Sequence, residues 1–439
     1  MQRILTAVAA VAALMAAPVP PPAPAVFVSP SGSDAGRCTR AQPCASFDRA
    51  YRVAKPGQTI ELAGGTYPPQ TVGVDPTKVS ATSDVVFQPA RGASVTIAGD
   101  LVMRGSHAVF KDIGLRFLYS DAVRGPTTSN HVTFEGFHGQ AFLIGPNSYI
   151  TILGGDWGPN TGPNTEENKV GPDGTIPGQW PAHIVLNGLY IHDQNSNDLS
   201  TQHMGGLFLI SGGPITLENS HFARDVVYDV QVQDFTNVDC CGMDYGPVHD
   251  MVMQGNVFEQ PVTSLPEGAA NDNQPEVQLD PRSGACWRNW TIRRNSFQNG
   301  LAVGFDAQPC FANSTVSGNI GPAPGFQCWP NAAGLTWMDN IWTGGSCSPA
   351  DHGAPYGYSL EGMGLQPAEP AATAVRTMFA LAAGGSTVAQ VARQVHTSAT
   401  TVKTVLADRT YLGNAYGGRG EQPPLVSRKV WRAAQKALG

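Results

Sequence analysis

A strictly alternating segment of polar and apolar residues occupies positions 229–235 and reads Asp-Val-Gln-Val-Gln-Asp-Phe. Alternation with a period of two predicts a half-buried β-strand. Two later segments, 276–280 and 302–306, repeat the pattern. The alignment forms three columns, which are Val230, Val277 and Val303; Val232, Leu279 and Phe305; and Gln233, Asp280 and Asp306. A strand type that recurs with its polar column kept predicts the stacked coils of a solenoid.

A second repeated feature is an asparagine followed by a spacer and an apolar residue. It occurs at Asn219, Asn256, Asn295, Asn319 and Asn340. Asparagine tolerates the left-handed conformation at a bend between sheets, and stacked asparagines can form hydrogen bonds from coil to coil. Eight to ten coils at about 4.8 Å each would form a rod of roughly 40 to 50 Å. A sandwich or propeller is the alternative, since Asn-x-Phe is common in Gly-rich β proteins.

Helical periodicity appears near both ends of the chain. Within 46–54, Phe47, Ala50, Tyr51 and Ala54 share one apolar face, which predicts a helix that caps the first coil. Near the C-terminus, helices are predicted over 373–383, from Ser386, after Ser398 and over 426–438. The second and third of these surround the short turn at His396 and Thr397, a helix-turn-helix pattern.

The N-terminal part resembles the start of secreted right-handed parallel β-helix proteins of the pectate-lyase-like superfamily. The likeness rests on Val-Phe-Val-Ser-Pro-Ser-Gly-Ser-Asp at 26–34, Lys-Pro-Gly-Gln-Thr-Ile at 55–60 and Gly-Thr-Tyr at 65–67. It extends loosely over the repeats to about His352. The resemblance implies that the first helix plugs the open end of the solenoid, where an unpaired apolar edge would otherwise be exposed.

The predicted fold class is therefore mainly β, a right-handed parallel β-helix solenoid with an N-terminal helical cap and a small all-α, helix-turn-helix-like C-terminal domain. The expected divisions are a signal peptide at 1–25, the β-helix at 26–352, a Pro-rich linker at 353–370 and the basic helical domain at 371–439. The whole is expected to be a monomer.

Composition supports export. The 439 residues include 50 Gly and 35 Pro, with only 14% charged residues, which fits many turns and few amphipathic helices. Arg3, an apolar run over 4–17 and Ala23-Pro24-Ala25 are typical of a signal peptide cleaved after Ala25. A membrane anchor is the alternative, but the run is shorter than the ~20 residues that a membrane span needs. We expect a secreted or cell-surface protein.

Eight cysteines in an exported chain predict disulfides. The expected pairs are Cys38 with Cys44, Cys286 with Cys310 and Cys328 with Cys347. Cys240 and Cys241 are adjacent, so they form a vicinal bridge or pair elsewhere. A zinc site is the alternative, but paired Cys-x-x-Cys motifs are absent from the sequence.

Four segments rich in turn-forming residues interrupt the repeats, at 157–181, 195–203, 239–248 and 260–275. Insertions on successive coils tend to fall on one side of a solenoid and build a groove. Plain surface loops are the alternative.

The candidate catalytic residues are Asp234, Asp280, Arg282, Asp306 and His203. Asp280 and Asp306 would lie on neighbouring coils about 4.8 Å apart, where two carboxylates raise one pKa or recruit a cation such as Ca²⁺. An inverting glycoside hydrolase would use one carboxylic acid and one carboxylate. A uronate lyase would bind Ca²⁺ at Asp280 and Asp306 and use Arg282 as its base.

The chain lacks the Asn-Thr-Asp and Gly-His-Gly motifs of polygalacturonases, so no catalytic residue is carried over from that family. The alternative without a functional role is the bland one: these carboxylates simply form a sheet face exposed to solvent. Among the histidines, His203 lies in a predicted loop beside two glycines and is expected to face the groove. His192-Asp193 is not expected to pair, because neighbours on a strand point to opposite faces.

The tail from Ala371 has nine Lys or Arg and two Asp or Glu, a net charge of +7, whereas the rest of the chain carries −14. It resembles the DNA-binding recombinase domain of large serine recombinases through 388–393, 404–413 and 425–431. The resemblance implies that Thr400, Thr401, Lys403 and Thr404 enter a major groove. No serine nucleophile domain is present, so strand exchange is not implied. Binding of an anionic wall polymer and a plain structural tail are the alternatives.

The leading functional hypothesis is an exported parallel β-helix protein that binds or cleaves an acidic polysaccharide, as a lyase or glycoside hydrolase. A non-catalytic glycan binder or adhesin is the first alternative. Nucleic-acid binding through the tail is the second.

Overall fold

The structure is a computed structural model. It describes residues 26–120, 130–160, 168–171, 180–194, 205–225, 228–234, 248–259, 277–281, 286–298, 301–303, 310–321, 333–342, 357–361, 364–395, 397, 399–407, 409–413 and 423–438. The predicted signal peptide at 1–25 and the cysteines Cys240, Cys241, Cys328 and Cys347 lie outside these residues.

Three long parallel sheets form the body of the protein. Sheet 1 has thirteen strands, which are Val26–Val28, Thr59–Leu62, Val85–Pro89, Ala108–Lys111, Asn130–Glu135, Ser148–Leu153, Ile184–Asn187, Ile215–Glu218, Met251–Gln254, Trp287–Arg288, Thr291–Arg293, Cys310–Ser317 and Ala333–Met338. Sheet 2 has eleven, which are Gly65–Tyr67, Val95–Ile97, Ile113–Gly114, His138–Gly139, Asp156–Trp157, Tyr190–His192, His221–Ala223, Val257–Phe258, Ser296–Phe297, Ile320–Gly321 and Ile341–Trp342.

Sheet 3 has nine strands, which are Gln70–Val72, Leu101–Met103, Phe117–Ser120, Ala141–Ile144, Asn168–Val170, Gly205–Leu209, Tyr228–Asp234, Val277–Pro281 and Leu301–Val303. From Thr59 to Val303 the chain visits sheets 1, 2 and 3 in turn in each coil, and every strand of these sheets pairs in parallel with its counterpart in the neighbouring coil. The predicted parallel β-helix is therefore confirmed. Sheet 1 alone has twelve successive rungs, more than the eight to ten coils predicted.

The N-terminal helix α1, Phe47–Val53, caps this stack as predicted. Ser46 is its N-cap and accepts a hydrogen bond from the backbone N–H of Arg49. Phe47, Ala50 and Tyr51 are fully buried, because they cover the apolar interior of the first coils. The Phe47 ring lies 5.5 Å from that of Phe87, so the helix continues the aromatic column of the core.

Four of the five predicted asparagines form a buried ladder. The backbone N–H groups of Asn256, Asn295 and Asn319 donate to the Oδ1 atoms of Asn295, Asn319 and Asn340, at 3.0, 2.9 and 3.0 Å. Asn219 is not part of this ladder; its place is taken by Ser220, whose backbone N–H donates to Asn256 Oδ1.

The reason for the ladder also differs from the prediction. The left-handed residue is the one before each ladder asparagine, with φ of 66° at Gly255 and 56° at Arg294. Asn219 has φ 53° and occupies this preceding position. The ladder asparagines are selected for hydrogen bonding rather than for backbone conformation.

The opening strand extends over Tyr228–Asp234, and its register corrects the predicted alignment. Val230 and Val232 are opposite Val277 and Leu279, as predicted, and all four are fully buried. However, Val303 is opposite Leu279 rather than Val277. The third segment is therefore displaced by two residues from the predicted alignment.

The C-terminal part begins with an antiparallel hairpin of Tyr358–Glu361 and Gly364–Pro367, within the segment predicted as a linker. The helices are α2 Ala371–Ala383, α3 Val388–Gln394, α4 Ala399–Ala407 and α5 Arg428–Leu438, with a 3₁₀ turn at Arg409–Leu412. Their buried side chains belong to one hydrophobic cluster with Ile320 and Ile341 of sheet 2. The helices thus pack on the last coils, which need a cap just as the first coil does.

No helix within the described residues is long and apolar enough to cross a membrane.

Two predicted disulfides are present, Cys38–Cys44 and Cys286–Cys310, with sequence separations of 6 and 24 residues. Loop closure stabilises more when the loop is longer. We therefore expect Cys286→Ser with Cys310→Ser to lower the free energy of unfolding by about 3 kcal/mol, against about 2 kcal/mol for the Cys38 and Cys44 pair. Urea denaturation of both double variants measures the difference, and equal losses would contradict this order.

Candidate functional site

Six of the segments outside the described residues adjoin strands of sheet 3 along the chain. Segments 121–129, 172–179 and 235–247 follow strands of this sheet, whereas 161–167, 195–204 and 260–276 precede them. These segments lie outside the described residues, so the expected groove on one side of the solenoid stays a prediction. The predicted interruption at 157–181 needs correction, because Trp157 is buried in the core and Asn168–Val170 is a strand of sheet 3.

The outer face of sheet 3 has polar and aromatic residues in register. Four successive strands place one such residue each in a single column, in the order Lys169, Phe208, Gln231 and Gln278. Gln231 Nε2 donates to Gln278 Oε1 at 3.1 Å. Phe208 and Gln278 are 6% and 2% exposed, so this face is not the solvated surface that the bland alternative predicted.

The strand Tyr228–Asp234 presents its acidic residues to opposite sides. Val230 and Val232 point into the core, so Asp229 and Gln233 point outward and Asp234 points inward. Asp234 is fully buried, and its Oδ2 accepts a hydrogen bond from Trp287 Nε1 at 2.8 Å. Asp234 therefore acts as a hydrogen-bond acceptor inside the core, which favours a structural role over the catalytic role predicted for it.

A second acidic residue, Asp225, lies on the same outer face as Asp229. It follows the sheet 2 strand His221–Ala223 and is fully buried. A Cβ on Gly206 would be 2.4 Å from Asp225 Oδ2 and 2.6 Å from the backbone oxygen of Asp229. Gly206 alternates with the buried Leu207, so its missing side chain would point outward. Only glycine at 206 leaves room for the Asp225 carboxyl group beside Asp229.

Burial raises the pKa of Asp225 well above its usual value, and the negative charge of Asp193 raises it further. A hydrogen bond from the backbone N–H of Gln194 to Oδ1, 3.0 Å long, and the charge of Arg224 act in the opposite direction. Oδ2 has no hydrogen-bond partner among the described residues. The environment of Asp225 therefore favours the protonated carboxylic acid.

A polar network supports this acid from the side of sheet 2. Arg224 donates to Asp193 through Nε at 2.9 Å and Nη2 at 2.5 Å. His192 contacts Asp193 at 2.6 Å and Asp156 at 2.8 Å. The hydrogen bond from Arg224 lowers the pKa of Asp193, so Asp193 stays charged beside Asp225.

The contact between His192 and Asp193 contradicts the prediction that sequence neighbours do not pair. Asp193 has φ 51°, a left-handed conformation that turns its side chain back toward His192. The same geometry recurs at His249 and Asp250, 2.6 Å apart with φ 52° at Asp250. The rule of opposite faces applies inside a strand, and both aspartates lie just beyond a regular strand or before one.

Of the other predicted site residues, His203, Arg282 and Asp306 lie outside the described residues. For Asp280 the backbone alone is described, opposite Gln233. Within the described part of the chain, no three His, Cys, Asp or Glu side chains come together to hold a metal ion. The Ca²⁺ site at Asp280 and Asp306 stays a prediction.

Sequence reasoning missed Asp225, which belongs to no repeated column. The one clue in the sequence was the Gly205-Gly206 pair, because adjacent glycines at the start of a strand indicate a close approach by another group. The proximity of Asp225 to that strand arises only from the stacking of coils.

In the tail, helix α4 buries Val402, Val405 and Leu406 and exposes Lys403. The side chains of Thr400, Thr401 and Thr404 lie outside the described residues. Helix α5 exposes further cations at Arg428, Lys429 and Lys436 along its length. Nucleic-acid binding by α4 stays a prediction.

Comparison with known proteins gives similarity in fold only. No family model matches the chain, and no curated protein matches it, so the likeness of the tail to recombinase domains has no further support. Among solved structures, the catalytic domain of a GH87 alpha-1,3-glucanase in complex with tetrasaccharides is 11% identical, with a TM-score of 0.40 over 76% of this chain. The chain spans 66% of that domain.

Pectate lyase Pel9A is 13% identical, with a TM-score of 0.31, covering 74% of this chain and 78% of the lyase. PfbA, a surface adhesin of Streptococcus pneumoniae, is 9% identical, with a TM-score of 0.27, covering 70% of this chain and 86% of the adhesin.

Proposed function

We propose that the protein is a glycoside hydrolase that binds a polysaccharide beside sheet 3 and cleaves it with Asp225 as the acid. The observation that carries this proposal is the environment of Asp225. It is a fully buried carboxyl group whose pKa is raised well above its usual value, and it lies against Gly206 of a sheet 3 strand. Burial of a polar atom without a partner, as at Asp225 Oδ2 within the described part of the chain, is costly, and carboxyl groups with strongly shifted pKa values concentrate at functional sites.

In this mechanism Asp225 is the general acid. Its raised pKa favours the protonated form, and that proton passes to the glycosidic oxygen as the bond to the sugar breaks. Asp229 is the second carboxylate. Its strand is the next rung after Gly206, which places its side chain about one strand spacing, ~4.8 Å, from the space that Asp225 occupies. It would act on the other side of the sugar ring, as base or nucleophile.

A hydrolase suits the described residues better than a lyase. A lyase needs a base for the C5 proton and a cation for the uronate carboxylate, whereas Asp225 is held as an acid. Lys169, in register with Phe208 and Gln231, supplies a positive charge on the face and favours an acidic polysaccharide as the substrate. Asp280, Asp306, Arg282 and His203 remain proposed members of the site.

The proposal is tested by incubating the mature protein with acidic and neutral polysaccharides and measuring new reducing ends. Absorbance of unsaturated ends distinguishes a lyase, and proton NMR of the first product gives the anomeric configuration. We expect Asp229→Asn to lose at least about 100-fold in rate, because one of the two required carboxylates is removed.

Asp234→Asn is the matched control, since it makes the same change in the same strand but on the inward face. It should lower stability through its bond to Trp287 and keep its rate per folded molecule. If Asp229→Asn kept its activity and Asp234→Asn lost it, Asp234 rather than Asp229 would be the second carboxylate. Binding of a polysaccharide without any cleavage would identify a non-catalytic glycan binder instead.

A further inference from the structure

A groove on a different face of the rod has no part in the mechanism above. It lies on the outer side of sheet 1, has a volume of about 380 Å³ and crosses four neighbouring rungs at Thr133, Thr151, Val185 and Thr216. Its volume is within the range of small-molecule sites, about 300 to 1,000 Å³. We call it the sheet 1 groove.

One wall of the sheet 1 groove is a stack of aromatic rings. His131, Tyr149 and His183 follow His107 at ring-centroid distances of 4.6, 4.4 and 4.4 Å, with planes within 9° of parallel. Tyr149 is 46% exposed. Because the ring faces are occupied by each other, their polar edges and the Tyr149 hydroxyl are what a ligand would meet.

The backbone shows that these rings are not an incidental feature. His107, His131, Tyr149 and His183 all have φ between 53° and 57°, a left-handed conformation that histidine, like asparagine, adopts more often than most residues but that is unfavourable for tyrosine. At the same turn of later coils the chain uses Asn289 and Asn313, with φ of 59° and 51°, and asparagine tolerates this conformation. Residues held in such strain cluster at binding sites.

The lining defines the chemistry of the ligand. Hydroxyl groups of Thr133, Thr151 and Thr216 and the ring edges can both donate and accept hydrogen bonds, while Val185 and Pro214 offer apolar surface. Among the described lining residues no Lys or Arg occurs, and Asp84 is the one carboxylate. A ligand with many hydroxyls, an apolar face and no anionic group fits this lining.

We propose that the sheet 1 groove binds a neutral sugar segment of a glycan, separately from the site on sheet 3. The hydroxyls repeat at the rung spacing of about 4.8 Å, so an extended oligosaccharide would lie across the rungs.

The experiment uses the full-length protein with Asp225→Asn, so that cleavage does not interfere. Neutral hexasaccharides of glucose, xylose and mannose, and an oligogalacturonate hexamer, are titrated by calorimetry while ¹³C-labelled histidine signals are followed by NMR. We expect a neutral hexasaccharide to shift the His131 and His183 signals. The combined change His131→Asn, Tyr149→Asn and His183→Asn, which installs the asparagine of the later coils, should weaken its binding at least tenfold.

A matched pair tests the hydroxyl contribution. Thr151→Val lies in the groove and should weaken binding several-fold, whereas Thr315→Val, in the same column of sheet 1 three or more rungs away, should leave binding unchanged. Unchanged binding in the triple variant, tighter binding of the oligogalacturonate at these histidines, or no histidine shift with any sugar would each overturn the proposal. None of these results depends on whether Asp225 is catalytic.

Discussion

Asp225→Asn is expected to abolish cleavage and, at the same time, to stabilise the protein at pH 7. The loss should be at least about 100-fold in rate, because a side-chain amide cannot donate the proton that a general acid supplies. The gain in stability follows from burial, since the native state must otherwise hold a carboxyl group that prefers to ionise in water. A residue that is unfavourable for stability but required for rate is the signature of a functional site.

The stability difference between the two proteins has a defined pH dependence. The folded pKa of Asp225 lies well above the usual value of 3.8, so below about pH 4 the carboxyl is protonated in both states and contributes no difference. As the pH rises, the unfolded chain releases its proton while the native state retains it, and wild-type stability falls. The advantage of the asparagine variant should therefore grow by about 1.4 kcal/mol for each pH unit between 4 and the folded pKa, and level off above it.

Urea denaturation of both proteins at pH 4, 5.5 and 7 measures this change in stability. The rate of polysaccharide cleavage by the wild type should also decline at high pH, as Asp225 loses its proton. A constant stability difference across this range would show that Asp225 is ionised in the native state. The role of general acid would then be wrong even if the variant were inactive.

Asn295→Ala is expected to destabilise the rod strongly. Asn295 Oδ1 accepts from the backbone N–H of Asn256, and its Nδ2 donates to the oxygen of Met253, each at 3.0 Å and all buried. The alanine would leave both backbone groups without partners. At about 1 to 3 kcal/mol for each unsatisfied buried group, the loss should be roughly 2 to 6 kcal/mol.

Asn219→Gly is the control for this prediction, because Asn219 belongs to the same sequence pattern but not to the ladder. Its side chain makes one exposed hydrogen bond, to Asn187 Oδ1 at 3.2 Å, and glycine accepts its left-handed backbone. The free energy of unfolding should change by less than about 1 kcal/mol. Equal losses in the two variants would show that the ladder contributes nothing beyond an ordinary surface bond.

The architecture was predictable because a solenoid repeats its pattern. Alternation at Val230 and Val232 and the recurrent asparagines identified stacked coils, and the periodicity of Phe47, Ala50 and Tyr51 identified the cap. Contacts were harder to predict between residues that the repeated sequence patterns do not place side by side. Register beyond one rung failed at Val303, because alternating strands align almost equally well after a displacement of two residues.

The candidate site was less predictable for the same physical reason. Asp225 follows a strand of sheet 2 and reaches sheet 3 only because Gly206 of the preceding coil leaves space. Asp193 contacts His192 because of its left-handed φ, which a rule about strands does not include. Asp229 begins the alternating segment at 229–235, but its closeness to Asp225 depends on the space that Gly206 of the preceding coil leaves.

The coil that contains Ile215–Glu218 also contains Asp225 and the strand Tyr228–Asp234, so it contributes Thr216 to one face of the rod and the acidic pair to another. Both faces are thus built by the same few turns of chain. In such a repeating structure whole coils can be gained or lost during evolution while the remaining contacts keep their form. Loss of this coil would remove the acidic pair and shorten the sheet 1 groove at the same time, whereas changes in coil number toward either end would alter only the length of the molecule.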